Sequence, residues 1–233
     1  MNKHILTLLV VICSLITNSF LYSQDNCSRF YPLTEGATME YTSYNKKDKE
    51  EGKVTYNVGK VSNEGNKTIA TMQIQMTDDK GKDTYSTEYH ITCDGDKVNI
   101  DFQSLISEQM LQQYKDMDMQ ISGTDVELPN NLEVGQTLAD ANVAIKINMG
   151  TLNMNMNIET LNRKVEKKET ITTPAGTFTC FVIYSENHTK MMVGTQIFPS
   201  REWLAEGIGM IKNEYYTKNG KLSGSSKLTK LQL

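Results

Sequence analysis

Apolar residues recur at every second position along most of this chain, the period of a strand with one side on a core and the other in water. Met39 and Tyr41 share a face against Thr38, Glu40 and Thr42. Val54, Tyr56 and Val58 repeat the pattern, as do Ala70, Met72, Ile74 and Met76, and then Tyr85, Tyr89, Ile91 and Cys93. Polar turns at 45–52, 63–66 and 78–83 separate these runs. One apolar and one polar side per strand predicts antiparallel sheet with one wet face.

One segment changes period. Phe102, Ile106, Met110 and Tyr114 recur every four residues, with Leu105 and Leu111 flanking and Glu108, Gln112 and Lys115 turned away. This predicts a helix near 102–116, capped by Asp101 or Ser104, with a stripe wide enough to lie across a sheet's apolar face. Alternation then resumes in Val143, Ile145, Ile147 and Met149, and in Met154, Met156 and Ile158. Residues 164–172 read as a further strand, Pro174-Ala175-Gly176 as a turn into 177–185, and 191–198 as the next strand. Asn219-Gly220 is the strongest hairpin signal, joining 208–216 to 222–233. Residues 128–137 have ordinary loop composition, so 24–233 are expected to form a single β-rich domain.

The first 23 residues read as an export signal. Lys3 precedes a short apolar run from Ile5 to Ile16, and Ser23 suits cleavage before Gln24. The run is too short to span a membrane, and no later segment approaches the roughly 20 apolar residues required. Without the signal the chain is expected outside the cytoplasm, in the periplasm or extracellular space, with no transmembrane span. Cys13 follows Ile12 and Cys27 follows Asn26, so neither has the small preceding residue that lipid attachment requires. The full chain carries a net charge of −4, and losing Lys3 makes it more negative. That balance argues against nucleic acid or an anionic membrane surface as partner.

Three cysteines remain after processing. Cys180 lies on the alternating face of Phe178, Val182 and Tyr184 and reads as a buried free thiol. Cys27 and Cys93 are the candidate disulfide, although sequence does not fix connectivity.

Chemistry-bearing motifs are sparse. His90 falls on a wet strand face and His188 in an apparent turn, Asn187-His188-Thr189, so no catalytic residue is assigned. Asp78, Asp79 and Asp83 surround Gly81, and Asp94, Asp96 and Asp101 lie about Gly95. These read as turn aspartates rather than metal ligands, and no metal or cofactor is expected. Met117-Asp118-Met119 and Met154-Asn155-Met156 have spacing that Cu(I) would accept, but thioethers more often fill adaptable apolar surfaces. Trp203 reads as a core anchor that begins a new strand after Phe198-Pro199.

Several phrases carry a family resemblance. Residues 26–32 (Asn26-Cys27-Ser28-Arg29-Phe30-Tyr31-Pro32) lead into Gly36-Ala37-Thr38-Met39-Glu40-Tyr41. Tyr114-Lys115-Asp116-Met117, 132–138, 174–180 and 203–212 follow in order. From Cys27 to about Lys221 the chain resembles the TapB-like proteins with a DUF3108-like domain, exported proteins of the Bacteroidetes. The resemblance implies a β-rich exported domain and brings no catalytic residues. Strands curled around a helix also look like the half-barrel lipoprotein carriers of the bacterial envelope.

The expected fold class is therefore mainly β (α+β), a strongly curved antiparallel sheet or half-barrel packed on one helix near 102–116. The expected function is that of a non-catalytic envelope protein binding a lipid or other hydrophobic molecule. Its candidate pocket residues are Met110, Tyr114, Met154, Met156 and Trp203. The alternative is a structural or interaction module of an outer-membrane or secretion assembly, with an envelope protein as partner.

Overall fold

The computed structural model describes residues 27–106, 117–150, 152–191 and 194–233, so the expected signal segment 1–23 lies outside the described residues. The strands are β1 (Thr38–Asn45), β2 (Glu50–Glu64), β3 (Lys67–Asp78), β4 (Asp83–Cys93), β5 (Lys97–Ile100), β6 (Asp118–Thr124) and β7 (Val126–Pro129). They continue with β8 (Ala141–Met149), β9 (Leu152–Thr173), β10 (Gly176–Met191), β11 (Gly194–Ala205), β12 (Gly209–Tyr216) and β13 (Leu222–Gln232). Among the described residues they form one sheet in the order β6-β8-β9-β10-β11-β12-β13-β1-β2-β3-β4-β5-β7.

The sheet curls until its ends nearly meet. β9 and β7 are ten strand spacings apart, about 48 Å on a flat sheet. Yet Arg163 of β9 donates to the Glu127 carbonyl of β7 at 2.9 Å. The segment that follows β7 completes the seam. Gly135 N donates to the Val165 carbonyl, Val165 N to Gln136 and Leu138 N to Arg163.

Cross-strand register shows which side chains point inward. Leu228 pairs with Tyr41, Tyr41 with Val54 and Val54 with Met76. Val58 pairs with Met72, and Met72 with Tyr89. Phe181 pairs with Leu204, and Leu204 with Met210. This wall forms the main core, with Phe30 edge-on to Phe181 at 6.0 Å. On the other side of β1–β4, Thr38, Asn57, Gln73 and Glu88 lie in register, so that outer wall is polar. A smaller cluster on β8 and the first half of β9 joins Val143, Ile145, Ile147, Met156 and Ile158, capped by Phe102, Leu105 and Ile106.

Four sequence expectations change. The helix near 102–116 is not continuous: Phe102–Leu105 form one 3-10 turn capped by Asp101, and Ile106 is already extended (φ −80°, ψ 123°). The rest of that segment, 107–116, lies outside the described residues. Residues 164–172 are not a separate strand but the second half of the 22-residue β9, which bends at Asn162 (φ 54°). His188 lies within β10 rather than in a turn, bonded to Glu186 at 3.2 Å. Pro199 lies inside β11, opposite Glu186, so Trp203 does not begin a new strand. The short strands β5, β6 and β7 complete the sheet at its two ends.

The expected local chemistry is visible elsewhere. Thr217 and Lys221 close the hairpin around Gly220 (φ 74°). Asp78 accepts from Lys80 N and Lys82 N, and Asp94 from Lys97 N, the geometry of turn aspartates. Cys27 and Cys93 form a disulfide with Cα atoms 5.9 Å apart, and Cys180 is a buried free thiol. The bridge ties the N-terminal lead to the end of β4 across 66 residues. A loop of that length restricts the unfolded chain considerably, so reduction, or Cys27→Ser with Cys93→Ser, should cost about 2–4 kcal/mol in urea unfolding. Burial pushes the Cys180 thiol up to about 11. A thiol reagent should therefore label Cys180 only after unfolding.

Candidate functional site

The described pocket residues expected from sequence fall in two places. Met154 and Met156 belong to the small cluster on β8 and β9. Trp203 lies in the main core, in register with Val182 and Lys212. Its Nε1 donates to Glu169 at 2.7 Å, and the Lys212 ammonium sits 4.4 Å over its ring. In β11 Trp203 alternates with Glu202 and Leu204, so it points away from the wall they occupy. Met110 and Tyr114 lie outside the described residues.

The structure instead gathers ionisable groups inside the barrel, around Glu202. In β11, Ser200, Glu202 and Leu204 share the inward phase, and Glu202 pairs with Ile183 on one side and Asn213 on the other. Ser200 accepts from Asn187, which accepts from Thr160, so a polar belt crosses the inner wall between the two apolar clusters. Arg163 reaches the same interior from β9. It is 5% exposed, and its Nη1 donates to Glu127 O at 2.9 Å and Ala139 O at 2.6 Å. Tyr31, Tyr41 and Tyr89 complete the group, Tyr31 lying against Gly209. A Cβ there would meet the Tyr31 ring at 3.1 Å, and the local φ of +93° also favours glycine.

Electrostatics link these residues across the barrel. Burial raises the Glu202 carboxyl above its usual range, and Arg163 opposes that rise. Burial, then the Glu202 charge, raise the phenols of Tyr31, Tyr41 and Tyr89. Burial lowers Arg163, with Glu202 the main opposing influence. β4 and β11 are six spacings apart in sheet order, so the field between Tyr89 and Glu202 acts through the interior.

Hydrogen bonding here is incomplete. Tyr41 donates to the Met210 carbonyl at 2.7 Å. Among the described residues, no side chain or backbone group hydrogen-bonds the Glu202 carboxylate or the hydroxyls of Tyr31 and Tyr89. All three residues are part-buried. Deep polar groups ordinarily have hydrogen-bond partners, so these three stand out among the described residues.

Charges on the outer wall are already matched. Arg201 grips Glu166 with two bonds of 2.7 and 3.1 Å and lies 5.4 Å from both the Tyr184 and Tyr216 rings. A groove of about 430 Å³ between β9, β12 and β13 contains Lys212 and Lys227, each paired to an acid, Glu214 and Asp48.

Sequence reasoning missed Arg163 because a bulge in β9 shifts the inward phase, and Glu202 because a charged residue beside a buried tryptophan reads as surface. Arg163→Ala should lose about 3–5 kcal/mol in urea unfolding, because it leaves two buried carbonyls and Glu202 without their cation. Glu202→Gln gives the opposite trend with pH. The folded carboxyl holds its proton above the ordinary value of 4.5, so wild-type stability from this group falls as pH rises through that range. Glutamine does not titrate. The variant's stability relative to wild type should therefore grow above about pH 4.5 and level off once Glu202 is fully ionised, as read by thermal melts across pH.

A protein from Bacteroides fragilis, described as exported and as having a YmcC-like fold, superimposes with a TM-score of 0.74 at 20% identity. A protein from Parabacteroides distasonis, described as a lipoprotein, superimposes with a TM-score of 0.72 at 21% identity. In both cases 89% of this chain and all of the other are covered, and at these identities the likeness is one of fold. No curated protein matches the chain. The sequence matches the DUF3108-like family over residues 34–228, and the chain belongs to that family.

Proposed function

We propose that this is an exported, non-catalytic envelope protein that takes a lipid or other largely apolar molecule, carrying a polar group, into the recess of its barrel. The observation that supports this most directly is the set of deep polar groups without hydrogen-bond partners among the described residues: Glu202, Tyr31 and Tyr89. Partly buried apolar residues in the same cluster, among them Tyr56, Ile100, Ile208 and Met210, offer contact area for an apolar body. This revises the expected pocket: its walls are apolar, but its centre is polar.

Binding accounts for the groups better than catalysis does. The three phenols are held protonated, so none is an activated base. The Cys180 thiol is likewise held protonated, which removes it as a nucleophile. The export reading rests on residues 1–23, with periplasm or extracellular space as the destination. The relatives of like fold, described as exported or lipoprotein, agree with it.

Native mass spectrometry of the mature protein from its own kind of host, followed by organic extraction, tests this proposal. The expected result is a stoichiometric, extractable molecule with an apolar body. A mass matching the bare chain, with a partner captured by crosslinking in cells, would replace this reading with the interaction module.

A further inference from the structure

The polar outer wall of β1–β4 carries a groove of about 620 Å³. We infer that this groove binds a neutral carbohydrate chain, held by amide and hydroxyl side chains. It lies on the other face of the sheet from the recess, so its binding is independent of the one proposed above.

Strand register builds the site. Thr38, Asn57, Gln73 and Glu88 form one row across four neighbouring strands, and Thr55, Gln75 and Ser86 form a second row two residues along. All of them line the groove. Strand spacing and rise make this a grid of about 14 by 7 Å. Local contacts place the two glutamines. Gln75 Nε2 donates to Asp83 at 2.9 Å. The Gln73 amide lies against Gly59, where a Cβ would meet its Cδ at 3.3 Å and its Nε2 at 3.4 Å. Glycine at that position therefore gives the amide its seat. Asn57 Oδ1 is buried with no hydrogen-bond partner among the described residues. Turning it toward a hydroxyl in the groove costs that oxygen no existing bond.

The lining argues against other classes of ligand. β1, β2 and β3 each pair on both sides, so a peptide finds no backbone ladder in the groove. No lysine or arginine lines it, so a phosphate, sulfate or carboxylate finds no counter-charge. Glu88, the one charged lining residue, is exposed, and a lone exposed carboxylate holds a cation weakly. Ile74 is the one large apolar lining residue, and it is buried on the core side of β3, so an apolar body gains little. Hydroxyl groups remain. Each donates and accepts, as the amides and hydroxyls of the wall also do, and Glu88 accepts. A sugar ring presents several hydroxyls on the scale of this grid.

The test screens the mature protein on an array of neutral oligosaccharides: glucans, mannans, galactans and N-acetylated chitin oligomers. Galacturonate oligomers and deacetylated chitosan oligomers serve as acidic and basic counterparts. A neutral oligosaccharide should bind, in preference to both charged sets. Calorimetry with the tightest binder then compares wild type with Gln73→Ala and Asn57→Ala. Each substitution should weaken binding about three- to tenfold, the loss expected for one or two hydrogen bonds. Thermal melts and the emission of Trp203, the single tryptophan, would establish that both variants are folded. No binding by any neutral oligosaccharide, tighter binding of either charged set, or affinity that survives both substitutions would overturn this inference. None of these outcomes touches the recess, which is tested by the extractable molecule.

Discussion

The barrel depends on a buried cation at its seam. A sheet whose order ends in β6 and β7 has two free edges, and free edges recruit other strands. Arg163 covers part of the β7 edge by occupying the Glu127 carbonyl, and it holds the connection to β8 through Ala139. Both acceptors lie on different segments and are held by the one Nη1, whose two N–H groups serve one carbonyl each. The main core then draws on both halves of the sheet, with Val58, Met72 and Ile91 on one side and Phe181, Ile183 and Leu204 on the other.

A guanidinium inside a protein requires a counter-charge, and Glu202 supplies it. Neutralisation alone would be met best by a direct ion pair, since charge-assisted hydrogen bonds strengthen at low dielectric. The described residues show no such bond: Arg163 spends Nη1 on carbonyls, and it acts on Glu202 through its charge. The two charges therefore act at a distance, and among the described residues no donor reaches the carboxylate. That separation distinguishes the pair from a salt bridge such as Arg201–Glu166, where both partners are bonded twice.

The long strands were legible because each keeps one phase for many residues. Ala70, Met72 and Ile74 stay inward throughout β3, as do Val143, Ile145 and Ile147 in β8. β5 and β7 were missed at four residues each, since two apolar positions cannot establish a period. β6 alternates in Met119 and Ile121, but it adjoins a stretch whose four-residue spacing drew the eye to a helix. The first turn of that helix forms only as a 3-10 turn, because Phe102, Leu105 and Ile106 are anchored on the β8 cluster rather than on a continuous helical stripe.

The site was illegible for a related reason. In β9 the inward residues are even-numbered through Met156, Ile158 and Thr160, and odd-numbered at Arg163 and Val165. The bulge at Asn162 makes the change, and nothing in the local composition announces it. Read at constant phase, Arg163 belongs outside and Lys164 within, the reverse of what the fold does. In β11, Trp203 and Leu204 are both buried on opposite faces, so hydrophobicity cannot say which face is the barrel interior. Only the register with β10 and β12 does, and it turns Glu202 inward together with Leu204. The bulge that hides Arg163 is thus also what carries it to the seam: with Asn162 paired as an ordinary strand residue, β9 would present Lys164 to β7, and the barrel would lose the group that closes it.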